Sequence, residues 1–126
     1  MAREFANQGA ILVLAARNVQ KLNQIKDSLP NAEVHTVISL DLTDLSNVDA
    51  LVSSVIDQVG RVDVLVNNGG ISQRSLVGET PLEVDRKIME VNFFGAVGLT
   101  KALLPSLREV KGQIIVISSI SGKFGF

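Results

Sequence analysis

Four short apolar stretches, residues 10–15, 33–40, 62–66 and 113–117, set the main constraint on this chain. They are rich in β-branched residues and nearly continuous instead of alternating, which is the pattern of strands covered on both faces in a parallel sheet. Parallel neighbours cannot be joined by a tight hairpin and need a crossover, usually a helix. The segments between the stretches have the matching periodicity. Val48, Leu51, Val52, Val55, Ile56 and Val59 fall on one helical stripe, and Gly60 ends it. Leu22, Ile25 and Leu29 mark an earlier helix, over about residues 19–29, that Pro30 stops. A third helix is predicted to open at Thr80 with a capping box: Thr80 caps, Pro81 takes the first helical position and Glu83 reaches back. Its pattern runs through Val91 to about Arg108, with a bend expected near Asn92 or Pro105. Ala2 to Gln8 read as a helix tail closed by Gly9, and residues 118–126 leave a strand into a loop. Strand and helix alternating in this way predict an α/β, doubly wound layout.

Bulk properties remove several classes of function. The 126 residues suit one domain or a piece of one. A formal net charge of −1 offers no basic stripe for nucleic acid and no polybasic membrane patch. There are no cysteines, which excludes disulfides and thiolate metal sites. The longest apolar candidate, residues 10–16, is seven residues long, far short of the roughly 20 that a membrane-spanning helix needs. His35, the single histidine, lies in a strand pattern with no carboxylate at ligand spacing, so it reads as a core or edge histidine and no metal site is expected.

Polar residues cluster where the apolar stretches end. Arg17 follows the first, after Ala16; Asp41-Leu42-Thr43-Asp44 follows the second; Asn67-Asn68-Gly69-Gly70 follows the third; Ser118-Ser119-Ile120-Ser121-Gly122 follows the fourth. Asn92 interrupts an apolar helical segment, where asparagine is a poor interior residue. Taken singly, each has a plain explanation. Arg17 is a solvated arginine, Asp41 or Thr43 caps the next helix, residues 67–70 form a strand-to-loop turn, Asn92 marks a kink, and Ser119 caps a loop.

Taken together, in this order and spacing, they resemble the short-chain dehydrogenase/reductases. Residues 67–75 and 112–123 are most similar to the branch called dehydrogenase/reductase member 7. The resemblance implies a Rossmann-like doubly wound parallel sheet, with residues 1–126 as the central portion of a single NAD(P)-binding domain. It also implies that the first strand, with its glycine-rich turn, precedes Met1. The Tyr-x-x-x-Lys acid/base motif and the rest of the C-terminal part would follow Phe126, since the chain contains no tyrosine. The strand so placed would be central, between residues 10–15 and 62–66, and these residues by themselves are then expected to fold poorly or re-pair.

The resemblance also implies residue roles. Arg17, where NAD enzymes usually carry a carboxylate, would pair with the 2′-phosphate of NADP(H). Asp41 would accept from the adenine amino group while Leu42 flanks the ring. Asn67, Asn68, Gly69 and Gly70 would steady the central sheet and let the backbone approach the cofactor. Gly69 stands where the family usually has alanine, a change expected to add flexibility. Asn92 would hold a water in a proton relay. Ser119, rather than Ser121, would hydrogen-bond the substrate carbonyl. Implied substrates are small lipophilic carbonyls or alcohols such as steroids and retinoids, and the helix from Thr80 to Arg108 matches the one through which the family forms homo-oligomers. A second reading from another class is a truncated, non-catalytic isoform that acts as a dimerisation or regulatory partner.

Overall fold

A computed structural model describes residues 1–123; the end of the expected loop, residues 124–126, lies outside the described residues. The chain forms two compact units, one of residues 1–41 and one from Leu42 onward.

The first unit runs α1 (Ala2–Asn7), β1 (Val13–Ala16), α2 (Val19–Asp27), a 3-10 turn (Ala32–Val34) and β2 (Thr36–Ser39). Gly9, at φ +86°, takes the left-handed conformation that closes α1, and the Ala10 N–H then reaches back to Phe5 O at 3.0 Å. Asn18 caps α2 by accepting from the Lys21 N–H at 2.9 Å. β1 and β2 pair in parallel, Val13 opposite Thr36 through Ala16 opposite Ser39, and α2 packs against both. Leu22 and Leu29 are buried as expected, but Ile25 is exposed. The helix ends at Asp27, so Leu29 enters the core from the following turn and not from a stripe shared with Ile25.

His35 is buried, 4% exposed, and both ring nitrogens have partners. Nδ1 accepts from the Leu12 N–H at 3.2 Å, and Nε2 lies 3.0 Å from Pro30 O, which it reaches as a donor. Only the neutral ring protonated on Nε2 satisfies both bonds. It is a core histidine that ties the entry of β1 to the turn before β2.

The second unit contains α3 (Val48–Val59), β3 (Val64–Asn67), a 3-10 turn (Val77–Glu79), α4 (Leu82–Met89), a π-helical segment (Glu90–Gly95), α5 (Ala96–Glu109), β4 (Gln113–Val116) and a last 3-10 turn (Ile120–Gly122). The six stripe residues of α3 are its buried or half-buried positions, and Gly60 at φ +81° ends the helix. β3 pairs in parallel with β4, Val64 opposite Gln113 through Asn67 opposite Val116. Leu65, Leu103 and Leu107 form the core, with Val52, Val62 and Leu99 against them.

Two expectations change here and one is narrowed. The capping box at Thr80 does not form: α4 starts at Leu82 with Pro81 at the cap position and no side-chain cap. The Thr80 hydroxyl turns back to donate to Leu76 O at 3.0 Å and also meets Ser75 Oγ, so it serves the preceding turn. At Asn92, the first of the two places expected to be irregular, the helix passes into a π-helical segment, while Pro105 sits inside a continuous α5. Finally, β4 is not covered on both faces. Parallel pairing puts Ile114 and Val116 on the same face as Leu65 and Asn67. α5 lies on β3, and Ile114 and Val116 remain 43% and 64% exposed.

Candidate functional site

Each parallel pair sends its polar residues off the carboxyl ends of its strands, the edge where open α/β sheets bind ligands. In the first unit the Leu40 N–H donates to Ala16 O at 3.2 Å, extending the β1–β2 ladder by one step. Arg17 and Asp41 therefore leave neighbouring strands at the same end. Arg17 is exposed, and its guanidinium is unpaired among the described residues. Asp41 is half-buried and engaged.

In the second unit the Ile117 N–H donates to Asn67 O at 2.9 Å, which likewise extends the β3–β4 ladder. Residues 68–70 and 118–119 leave that end side by side. Asn67 is buried, and its Nδ2 donates to Thr100 Oγ1 at 2.9 Å; the Thr100 hydroxyl passes its own proton to Ala96 O at 2.7 Å. The side chain thus ties the end of β3 to α5. Asn68, Gly69 and Gly70 are exposed.

Asn92 sits in the π-helical segment and grips the loop after Gly70 from both sides. Its Oδ1 accepts from the Ile71 N–H and its Nδ2 donates to Ile71 O, each at 2.8 Å. A Cβ at Gly70 would stand 3.4 Å from Asn92 Oδ1, in ordinary van der Waals contact with this clamp. Asn92 is exposed, and one lone pair and one N–H of its amide remain beyond the Ile71 bonds. That spare capacity is what holding a water requires.

Leu42 is packed by glycines. A Cβ at Gly69 would fall 2.6 Å from Leu42 Cδ1, and one at Gly95 would fall 2.6 Å from Leu42 Cβ and 2.7 Å from Leu42 O. The space left by the absent Gly69 methyl is filled by leucine. Gly69 thus also has a packing role. Leu45 sits the same way on Gly98, where a Cβ would meet its Cδ1 at 2.4 Å.

Ser119 is exposed at the end of β4 and caps the last 3-10 turn. Its Oγ accepts from the Ser121 N–H at 3.2 Å and donates to Ser121 Oγ at 3.1 Å. The hydroxyl is held in place yet faces solvent, and its proton can be turned to a substrate oxygen at the loss of one exposed hydrogen bond.

Within the second unit, Leu42, Asn67, Gly69, Gly70 and Asn92 are linked by direct contacts or by a shared loop, and Ser119 leaves the strand beside them. Sequence reasoning missed Thr100, Ile71, Gly95 and Gly98. Thr100 shares its helical stripe with Leu103 and Leu107, and a threonine on a buried stripe signals a polar partner. Gly95 and Gly98, three apart on one helix, signal a close approach. Ile71 carried no signal, because its backbone and not its side chain is used.

The whole chain, residues 1–126, matches the family model described as short chain dehydrogenase. It is 45% identical over 128 residues to mouse dehydrogenase/reductase SDR family member 7B, a match that covers 97% of this chain and 40% of that protein. Among solved structures, an alcohol dehydrogenase from the archaeon Thermococcus sibiricus, complexed with 5-hydroxy-NADP, matches with a TM-score of 0.88 at 31% identity, covering 98% of this chain and 54% of the other. ElxO with NADP bound matches with a TM-score of 0.87 at 32% identity, covering 99% and 52%. The chain thus spans about 40% of the length of curated relatives such as this one.

Proposed function

We propose, since this chain belongs to the short-chain dehydrogenase family and to its member 7-like branch, that it serves an NADP(H)-dependent oxidoreductase acting on a small lipophilic carbonyl or secondary alcohol. The observation that carries this is the polar residues at the carboxyl ends of both parallel strand pairs, in the family's order. The residues present suit such a cofactor: in the first unit, a guanidinium at a strand end that is unpaired among the described residues, and in the second, an exposed backbone turn at residues 68–70 beyond a strand end.

Arg17 would hold the 2′-phosphate by charge-assisted hydrogen bonds, a role that a carboxylate there would oppose. Asp41 and Leu42 would receive the adenine. Asn68, Gly69 and Gly70 would present backbone to the cofactor, with Asn67 anchoring them to α5. Bound nicotinamide supplies or accepts the hydride. Ser119 donates a hydrogen bond to the carbonyl oxygen of the substrate, which favours the charge that develops there during reduction. Asn92 fixes the Ile71 loop and keeps the capacity to hold a water. Solved relatives with NADP or an NADP derivative bound support the choice of cofactor for this chain.

Titration of the intact protein with NADPH and NADH tests the reading. Tighter binding of NADPH, lost in Arg17→Ala, is expected; equal affinities before and after the substitution would remove Arg17 from this role. Ser119→Ala should lower kcat far more than Ser121→Ala, and the reverse order would show that the assignment is shifted.

A second reading is favoured by one surface. Leu82 and Met89, seven apart along α4, and the edge-to-face pair Phe93 and Phe94 are all exposed. The helical stretch from Thr80 to Arg108 would then be a self-association face, able to act in a non-catalytic partner as well as in an enzyme. Light scattering on Phe93→Asp tests the face: a shift to monomer supports it, and an unchanged mass removes it.

A further inference from the structure

Gly69 is exposed on its loop, yet the space beside it is not empty. Leu42 Cδ1 occupies the place where a methyl would project, 2.6 Å from an ideal Cβ. The rest of Leu42 has little room to retreat. Its Cβ and its carbonyl oxygen lie against the backbone at Gly95, where an added Cβ would meet them at 2.6 and 2.7 Å. Three residues on, Leu45 is seated on Gly98 in the same manner, so the segment is pinned to the helix at two points. Between these contacts Leu42 stays half-buried.

We propose that Gly69 is a positioning residue for cofactor binding that acts through Leu42: the missing methyl makes the slot that sets the rotamer in which Leu42 meets the adenine ring. The inference rests on the proposed function, because it takes Leu42 as the adenine-flanking residue. The physical reason is direct. Backbone contact at Gly95 prevents the segment from backing away, so a Cβ at position 69 can be absorbed only by turning the leucine side chain. Interiors repack by discrete rotamer changes, and a turned leucine presents a different surface to a planar ring. A slot for Cδ1 also requires that the residue opposite be leucine; valine, which has no δ carbon, would leave room for an alanine at 69.

The test is a double-mutant cycle in the intact protein with Gly69→Ala, Leu42→Val and the two combined. Isothermal titration measures binding of NADPH and of adenosine 2′,5′-bisphosphate, which carries the adenosine end alone; steady-state kinetics supply kcat and KM, and thermal melts report stability. Gly69→Ala is expected to weaken both ligands about tenfold, the usual effect of misplacing one apolar contact, and to raise the KM for NADPH in step. Adding Leu42→Val should restore most of the affinity. Wild-type affinity in Gly69→Ala, or fully additive effects in the double variant, would overturn the proposal. A lower Tm with unchanged affinity for the adenosine fragment would also overturn it, since that is the mark of a purely structural glycine. A wild type that binds neither ligand refutes the proposed function itself, and this inference with it, which is a separate outcome from binding that ignores position 69.

Discussion

The grip of Asn92 on Ile71 can be tested atom by atom. The side chain makes two 2.8 Å bonds to one residue, accepting from its N–H and donating to its C=O. A neutral hydrogen bond contributes about 0.5–1.5 kcal/mol net. Asn92 is exposed, so water replaces part of what is lost, and the lower half of that range applies. Asn92→Leu should therefore cost roughly 1–2 kcal/mol in a urea titration, a substantial share of a domain stability of about 5–15 kcal/mol. Asn92→Asp keeps an acceptor for the Ile71 N–H but turns a second acceptor towards Ile71 O, which loses that bond and adds repulsion. The two variants thus cost similar amounts of stability for different reasons. Hydrogen exchange at the Ile71 amide separates them. With about 1 kcal/mol of protection removed, exchange in Asn92→Leu should speed up roughly fivefold, at about 1.4 kcal/mol per factor of ten. In Asn92→Asp the amide should stay protected. Equal, unaccelerated exchange in both variants would show that the loop is held by something else and would refute the clamp.

Other expectations follow from single contacts. His35→Leu strands the Leu12 N–H and Pro30 C=O in a buried setting and should cost roughly 2–4 kcal/mol by urea titration; a loss below about 0.5 kcal/mol would show that the ring is only filler. Thr100→Val leaves Asn67 Nδ2 without its partner and should cost about 1–3 kcal/mol, while Asn67→Leu combined with Thr100→Val should cost clearly less than the sum of the single changes. Lys111 closes α5 at φ +54°, a conformation that suits glycine, with the Gly112 N–H bonded to Leu107 O; Lys111→Gly should raise the Tm and add up to about 1 kcal/mol.

The sequence made the alternation of strands and helices legible because parallel strands and amphipathic helices leave different periods. The six-residue stripe of α3 and its glycine stop stand where the pattern puts them. What it misjudged was competition between equally local choices. Thr80-Pro81-Leu82-Glu83 reads as a capping box, yet the threonine hydroxyl found a carbonyl four residues back, and no periodicity reports which of two nearby acceptors wins. The coverage of β4 was likewise out of reach, because an apolar run records what a strand can bury and not which neighbour lies on it. For the site, the strand-end positions of Arg17, Asp41, Asn67 and Ser119 were readable from where each apolar run stops. Their partners were not. Ile71 acts through its backbone, which is the same in every residue type, and Leu42 contacts glycines, whose contribution is an absent atom.

These partners bear on how such a site is preorganised. Asn67 and Asn92 have the residue type that suggests ligand contacts, yet each spends hydrogen bonds on the fold: one on the α5 hydroxyl, the other on a loop backbone. The consequence is that the loop at residues 68–71 is fixed at both ends, by Asn67 on the strand side and by Asn92 at Ile71, with two glycines between. A loop held only by its own backbone would lose conformational freedom on meeting a cofactor, at about 1–2 kcal/mol for each residue ordered. Here side chains from the strand and the helix meet that cost during folding, before any ligand arrives. Under the proposed function, polar groups of this kind would contribute to binding chiefly by holding backbone N–H and C=O groups still, and a substitution at Asn67 or Asn92 should weaken cofactor binding even where the side chain itself touches nothing but protein.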